Sequence, residues 1–189
     1  MPQVPTVVVL AGGASTRMGT HKPDVVVAER TMLEWVVRAA GDLPTLVVGG
    51  PEVTATRWIP DEVRNGPAGA LALALTAVNG PVIIVGADQP WLRPETLAAL
   101  AVFPSDAACV PVEGEQRQVM CARYPGTIAD IAARVANDGG GLQRVLDLIP
   151  RAEVDEERWR AWDEDGRSWF GVDTPKDLET GLARYGPPA

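Results

Sequence analysis

The chain has 189 residues, a formal net charge of −8 and 46% hydrophobic residues, enough apolar material for one good core and, as an expectation, one domain over residues 1–189. That acidity argues against a nucleic-acid surface, because phosphate backbones demand a basic face, yet it leaves room for a nucleotide whose few phosphates need only a local positive site. The longest apolar run, residues 68–78, is too short to span a bilayer, and the first strand begins too early to leave room for a signal peptide, so a cytoplasmic protein is expected.

Residues 7–10, VVVL, read as a strand covered on both faces, because a continuous β-branched run suits a buried parallel strand. The stretch that follows, AGGASTRMGTHK, sets Gly12 and Gly13 beside Arg17 and Lys22. The glycines allow close approach of bare backbone, and the cations add fixed positive charge, a combination that suits a polyphosphate. Thr31 and Glu34 form a capping box opening a helix whose apolar face is Leu33, Val36, Val37 and Ala40. Residues 45–48 read as a second strand ending at Gly49-Gly50, residues 68–78 as an apolar helix, residues 82–85 as a third strand, and Arg93-Pro94-Glu95 as the start of another helix with proline in its first turn. This alternation predicts a parallel sheet with helices on both faces.

The second half changes character. Residues 107–111 and 119–123 flank Glu113-Gly114-Glu115, which reads as a hairpin or an antiparallel addition to the sheet. Residues 127–137 read as a helix, and Gly139-Gly140-Gly141 as either a lid hinge or a helix terminator ahead of a helix over 142–148. Residues 168–172 read as a strand, and Thr174-Pro175-Lys176-Asp177 as a second capping box. Cys109 and Cys121 lie in apolar segments and read as buried reduced thiols; a single histidine, His21, and the lack of a Cys-x-x-Cys pair argue against a structural zinc site.

Ligands of such sheets gather at the carboxyl ends of the strands. Residues 10–22, 86–91 and 171–177 each follow an expected strand there, the second (GADQPW) carrying Asp88 and the third (GVDTPKD) Asp173. Two carboxylates beside a phosphate cradle suit Mg²⁺, which takes one or two carboxylates plus phosphate oxygens. Taken singly, Asp88 reads equally as an Asx-turn residue and Asp173 as a helix cap; their coincidence with the cradle favours a site. The first loop meets neither G-x-x-x-x-G-K-[ST] nor G-x-G-x-x-G, and the position of the one histidine, His21, inside the glycine-rich loop argues against a serine–histidine triad. Gln116, Arg117, Gln118 and Arg123 are candidates for lining an acceptor pocket, and Trp91 is the one tryptophan positioned to line the site.

LAGGASTRMGTHK resembles the L-A-G-G-x-x-x-R-M-G … D-K opening of the molybdenum cofactor guanylyltransferases, nucleotidyltransferases with a Rossmann-like fold. WIPDEVRNGPAGAL, GADQPWL and GVDTPKDL resemble later motifs of the same family in the same order. The resemblance implies an α/β Rossmann-like three-layer sandwich, a mostly parallel sheet with an antiparallel addition in the C-terminal half. It implies transfer of GMP from GTP to the terminal phosphate of molybdopterin, with release of pyrophosphate. In that picture Leu10, Ala11, Gly12, Gly13 and Asp61 meet the nucleotide, Arg17 and Lys22 serve the phosphates, Asp88 meets nucleotide and Mg²⁺, and Asp173 gives a second metal contact. The partners implied are GTP, molybdopterin and transiently bound cofactor-delivery or acceptor proteins. The sequence departs from the pattern at His21, where the family has aspartate, at the shortened GPAGAL and at Gly171. A relative using CTP or a sugar 1-phosphate, or a nucleotide-binding domain without catalysis, stays open.

Overall fold

The computed structural model describes residues 3–12, 22–53, 56–63, 65–104 and 106–189. Strand β1 (Thr6–Leu10) leads past a 3₁₀ turn (Lys22–Asp24) to a small antiparallel pair, β2 (Val26–Val27) and β3 (Arg30–Thr31). Helix α1 (Met32–Ala39), strands β4 (Thr45–Val48) and β5 (Arg57–Ile59), helix α2 (Gly66–Ala77), strand β6 (Val82–Gly86) and helix α3 (Pro94–Val102) complete the first half. The second half contains β7 (Ala108–Glu113), β8 (Gln116–Arg117), β9 (Cys121–Tyr124), α4 (Ala129–Asn137), α5 (Leu142–Asp147), β10 (Arg151–Val154), α6 (Glu156–Arg160), a 3₁₀ turn (Arg167–Trp169) and α7 (Pro175–Tyr185).

Among the described residues the main sheet runs β10-β7-β9-β6-β1-β4-β5, with β8 hanging on β7. β1, β4, β5 and β6 are mutually parallel; β9 runs against both β6 and β7, and β10 is parallel to β7. The fold is therefore an α/β three-layer sandwich with a mostly parallel sheet and an antiparallel insertion in its second half.

The period of two along each strand distributes the apolar side chains to both faces. Val8, Leu10, Leu46, Val48, Val82 and Ile84 pack under α2, α4 and α5; Val7, Val9, Val47, Ile83 and Val85 pack under α1, α3 and α6. Both capping boxes form: Thr31 with Glu34 at α1, and Thr174 with Asp177 at α7, each with threonine accepting an N–H and the acid closing back. The triple glycine terminates a helix: Gly139 takes φ +74° and the Gly140 N–H donates to Val135 O at 2.8 Å, after which Gly141 caps α5.

Residues 168–172 do not form the expected strand. Gly166, at φ +95°, turns the chain into the Arg167–Trp169 3₁₀ turn, and the segment runs on irregularly to Val172. Its apolar side chains are buried by neighbours distant in sequence rather than by a ladder. Trp91 is also a core residue: only 4% exposed, it meets Phe170 and Tyr185 edge-on or tilted at 5.7 and 5.9 Å and donates its indole N–H to Gly186 O. Cys109 and Cys121 are buried free thiols, and burial pushes the Cys109 thiol up to about 12 and raises Cys121 as well, which leaves both unreactive. Among the described residues no helix is long and apolar enough to cross a membrane.

Candidate active site

From β1 the chain passes through α1 to β4 on one side, and from β5 through α2 to β6 on the other. Since α1 and α2 lie on opposite faces, the crevice beyond the carboxyl ends of β1 and β6 is the switch point where ligands of open α/β sheets bind. Leu10 stands opposite Gly86 across the parallel ladder, and the Ala87 N–H donates to Leu10 O at 3.1 Å. On the other side the Ala11 N–H donates to Val48 O at 2.9 Å. The ladder thus holds the chain up to Ala11 and releases it at the exposed Gly12.

The backbone of this loop is buttressed by a second glycine pair. Gly49 and Gly50 take φ +72° and +61°, a region that β-carbon sterics close to most residues. A Cβ on Gly49 would lie 2.9 Å from Gly12 Cα, and one on Gly50 would lie 2.7 Å from Ala11 Cβ. Asp61 leans over the same point, so that a Cβ on Gly12 would sit 3.1 Å from its carboxylate Oδ2. Gly49 is fixed by its N–H to Ile59 O and by the Trp58 indole N–H to its own carbonyl. Gly49→Ala is expected to cost about 1–2 kcal/mol through the left-handed backbone alone. By displacing Gly12 it is also expected to raise the KM for nucleoside triphosphate several-fold; thermal melts and initial-rate kinetics check the two effects separately.

Asp88 lies half-buried just past β6, in a turn closed when the Gly86 N–H donates to Gln89 Oε1 at 2.6 Å. A Cβ on Gly86 would collide with Asp88 Oδ1, so the carboxylate occupies the space that the glycine leaves open. Asp173 is exposed at the start of α7. The cap of that helix is Thr174, and Asp173 donates its N–H to Asp177 Oδ2 at 3.1 Å instead of serving as the cap. The two loops are joined directly: the Val172 N–H donates to Asp88 O at 2.9 Å. Residues eighty-odd positions apart thus come within one residue of that shared bond. Hard carboxylate oxygens on two adjoining loops are the donor set that Mg²⁺ prefers, with phosphate oxygens and water filling the remaining positions. Among the described residues no group of three or more His, Cys, Asp or Glu forms a metal-binding cluster, so a divalent cation held here would take Asp88, Asp173, phosphate oxygens and water rather than an all-protein cage.

The remaining candidates divide. Gly13, Arg17 and His21 lie outside the described residues, and Lys22 opens the 3₁₀ turn that leads to β2. Leu10, Ala11, Gly12, Asp61, Asp88 and Asp173 converge as described. Of the acceptor candidates, Gln116 and Arg117 line a groove together with Glu113, Gln143 and Glu153. Arg117 donates to Glu153 Oε1 and Asp147 Oδ1 at 2.7 and 2.8 Å, pairs that raise its pKa further and anchor β8 to β10 and α5. Gln118 turns its amide back to Gln116 O, and Gln116 itself is an exposed hairpin residue. Arg123 is buried in β9 opposite Ile83 and donates to Phe103 O, at the end of α3 remote from Asp88. Trp91 is removed from the site by its packing against Phe170 and α7. Sequence reasoning missed Met120, whose Cε lies 3.4 Å from a Cβ built on Gly86, and the support role of Gly49-Gly50. The adjacent glycines after an expected strand were the available signal for the latter; nothing marks Met120.

Residues 7–156 match the MobA-like NTP transferase domain. A probable molybdenum cofactor guanylyltransferase of Pelotomaculum thermopropionicum is 31% identical over 92% of this chain and 89% of its own length. The bifunctional protein GlmU of Azorhizobium caulinodans is 39% identical, but over 57% of this chain, which spans only 28% of that protein. Among solved structures, molybdopterin-guanine dinucleotide biosynthesis protein A from Archaeoglobus fulgidus superposes with a TM-score of 0.80 at 25% identity, covering 93% of this chain and 96% of that one.

Proposed function

The chain belongs to the MobA-like NTP transferase family, and on that premise we propose that residues 1–189 form one nucleotidyltransferase domain that moves GMP from GTP to the terminal phosphate of molybdopterin, releasing pyrophosphate. The observation that supports the reading is the Val172–Asp88 backbone bond, which joins the Asp173 loop to the one that the Ala87 N–H holds against Leu10 O. The near full-length similarity to a guanylyltransferase favours this acceptor over one suggested by a match to part of a bifunctional protein.

The chemistry asks little of a general base, because an acceptor phosphate is already an anionic nucleophile. The obstacle is repulsion between that anion and the triphosphate. Arg17, Lys22 and the backbone of Gly12 and Gly13 bind the phosphates in this proposal, and Asp61 contacts the nucleotide over Gly12. Asp88 and Asp173 would hold Mg²⁺, which supplies Lewis-acid neutralisation of phosphate charge when bound. Positioning and electrostatic stabilisation then provide the acceleration, as expected for a phosphoryl centre attacked in line.

A pyrophosphate-release assay of the four ribonucleoside triphosphates with Mg²⁺, with and without molybdopterin, tests this directly. Release with GTP that depends on molybdopterin is expected. Release with CTP, or only with a sugar 1-phosphate, would replace the substrate assignment; binding without release under every condition would identify a non-catalytic nucleotide-binding domain.

A further inference from the structure

The C-terminal loop that carries Asp173 contains a buried acid which the proposed chemistry does not use. Glu164 is 3% exposed. Its Oε1 accepts the backbone N–H groups of Asp165, Gly166 and Ser168 at 3.0, 2.8 and 3.3 Å. Its Oε2 accepts the hydroxyls of Thr96, at 2.5 Å, and Ser168. The Ser168 Oγ in turn accepts the Arg93 N–H at 3.0 Å.

These bonds have a direction along the chain. Arg93 and Thr96 begin α3, five and eight residues after Asp88; Glu164 and Ser168 lie nine and five residues before Asp173. The two segments are joined at several points: through Glu164 and Ser168 to the start of α3, by the Arg93–Asp163 ion pair, by Trp91 against Phe170, and by the Val172 N–H to Asp88 O. A buried carboxylate is costly unless its acceptor sites are filled, and here five N–H or O–H groups from both segments fill them. The Arg93–Asp163 ion pair that also ties this irregular chain to α3 is solvent-exposed on the Asp163 side, so Glu164 with Ser168 forms the buried polar link between the two.

We infer that Glu164 is a positioning residue: by tying the 164–172 loop to the N-terminal end of α3 it sets the Asp173 carboxylate against Asp88 as one divalent-cation site. This rests on the reading of Asp88 and Asp173 given under Proposed function. Substitution by glutamine keeps the shape but replaces one acceptor oxygen with an NH₂ donor. Turned toward the three backbone N–H groups, that donor meets only donors; turned toward the hydroxyls, it forces Ser168 and Thr96 to reorient and weakens the link to Arg93.

The test is a Mn²⁺ titration of the full-length protein, followed by electron paramagnetic resonance of free Mn²⁺, on wild type, Asp88→Ala, Glu164→Gln, Ser168→Ala and Leu146→Ala, with Tm measured for each. Leu146 is a fully buried residue of α5 on the opposite layer and serves as a control for loss of stability alone. Glu164→Gln is expected to weaken Mn²⁺ about tenfold, in the range of outer-shell substitutions at metal sites, and Ser168→Ala to weaken it several-fold, while Leu146→Ala lowers Tm and leaves affinity unchanged. Should Glu164→Gln fail to fold, Ser168→Ala decides by the same criterion. Unchanged Mn²⁺ affinity in the folded Glu164 or Ser168 variant, or an equal loss in Leu146→Ala, overturns the positioning role alone if Asp88→Ala has lost the ion. Equal Mn²⁺ binding by wild type and Asp88→Ala overturns the cation-site reading, and the positioning role with it.

Discussion

Asp88→Ala is expected to lower kcat for nucleotidyl transfer by about a thousandfold without unfolding the chain. The factor corresponds to roughly 4 kcal/mol of transition-state stabilisation, within the several kcal/mol that a metal-held phosphoryl centre commands. The fold is expected to survive because the contact joining the two loops uses the Asp88 carbonyl, which alanine retains, and because Gly86–Gln89 closes the turn independently of the carboxylate. The measurement is pyrophosphate release at saturating triphosphate, alongside a melt showing the native transition. Near-normal turnover by the folded variant would remove Asp88 from the chemistry and with it the proposed reaction.

Trp91→Ala is expected to give a large loss of stability, about 3–5 kcal/mol as for other buried tryptophans truncated to alanine. For a chain of this size each kcal/mol shifts Tm by roughly 2–4 °C, so a fall of about 10 °C is anticipated. The reason is local. Trp91 fills the space between Phe170, Tyr185 and α7, where glycine is required at 181 because any Cβ there would collide with the indole. It also fastens the chain beyond α7 through its N–H to Gly186 O. Since α7 begins next to Asp173, loosening it should also weaken the proposed cation site, and Trp91→Phe should restore part of the stability by refilling much of the volume. Denaturant unfolding of the two variants is the check; a loss below 1 kcal/mol for Trp91→Ala would mean that α7 docks by other contacts.

The strands β1, β4 and β6 and the helices α1, α3 and α7 were legible because their signals are local. A continuous β-branched run is compatible with burial on both faces whatever surrounds it, and threonine followed three residues later by an acid caps a helix by itself. The same locality placed Leu10–Gly12, Asp88 and the Asp173 loop at chain positions where strands end or helices begin. It failed for β5 and β10, whose residues are half exposed and carry no apolar run, and for residues 168–172, where Trp169, Phe170 and Val172 imitate a strand.

The positive charges show the limit most clearly. Arg117, between two glutamines at a hairpin, and Arg123, inside an apolar run, are both free in appearance in the sequence to meet an anion. Their partners, Glu153, Asp147 and the Phe103 carbonyl, are twenty or more residues away, so only chain folding reveals that both serve the framework. Trp91 is the same case with packing in place of charge. By itself the sequence determined the alternating architecture and the residue types gathered at the strand ends, since each follows from short-range sterics and hydrophobic pattern. Tertiary structure alone decided which polar groups are matched to one another, because a hydrogen bond such as Val172 to Asp88, or the five donors around Glu164, requires two segments to be brought together from far apart in the chain.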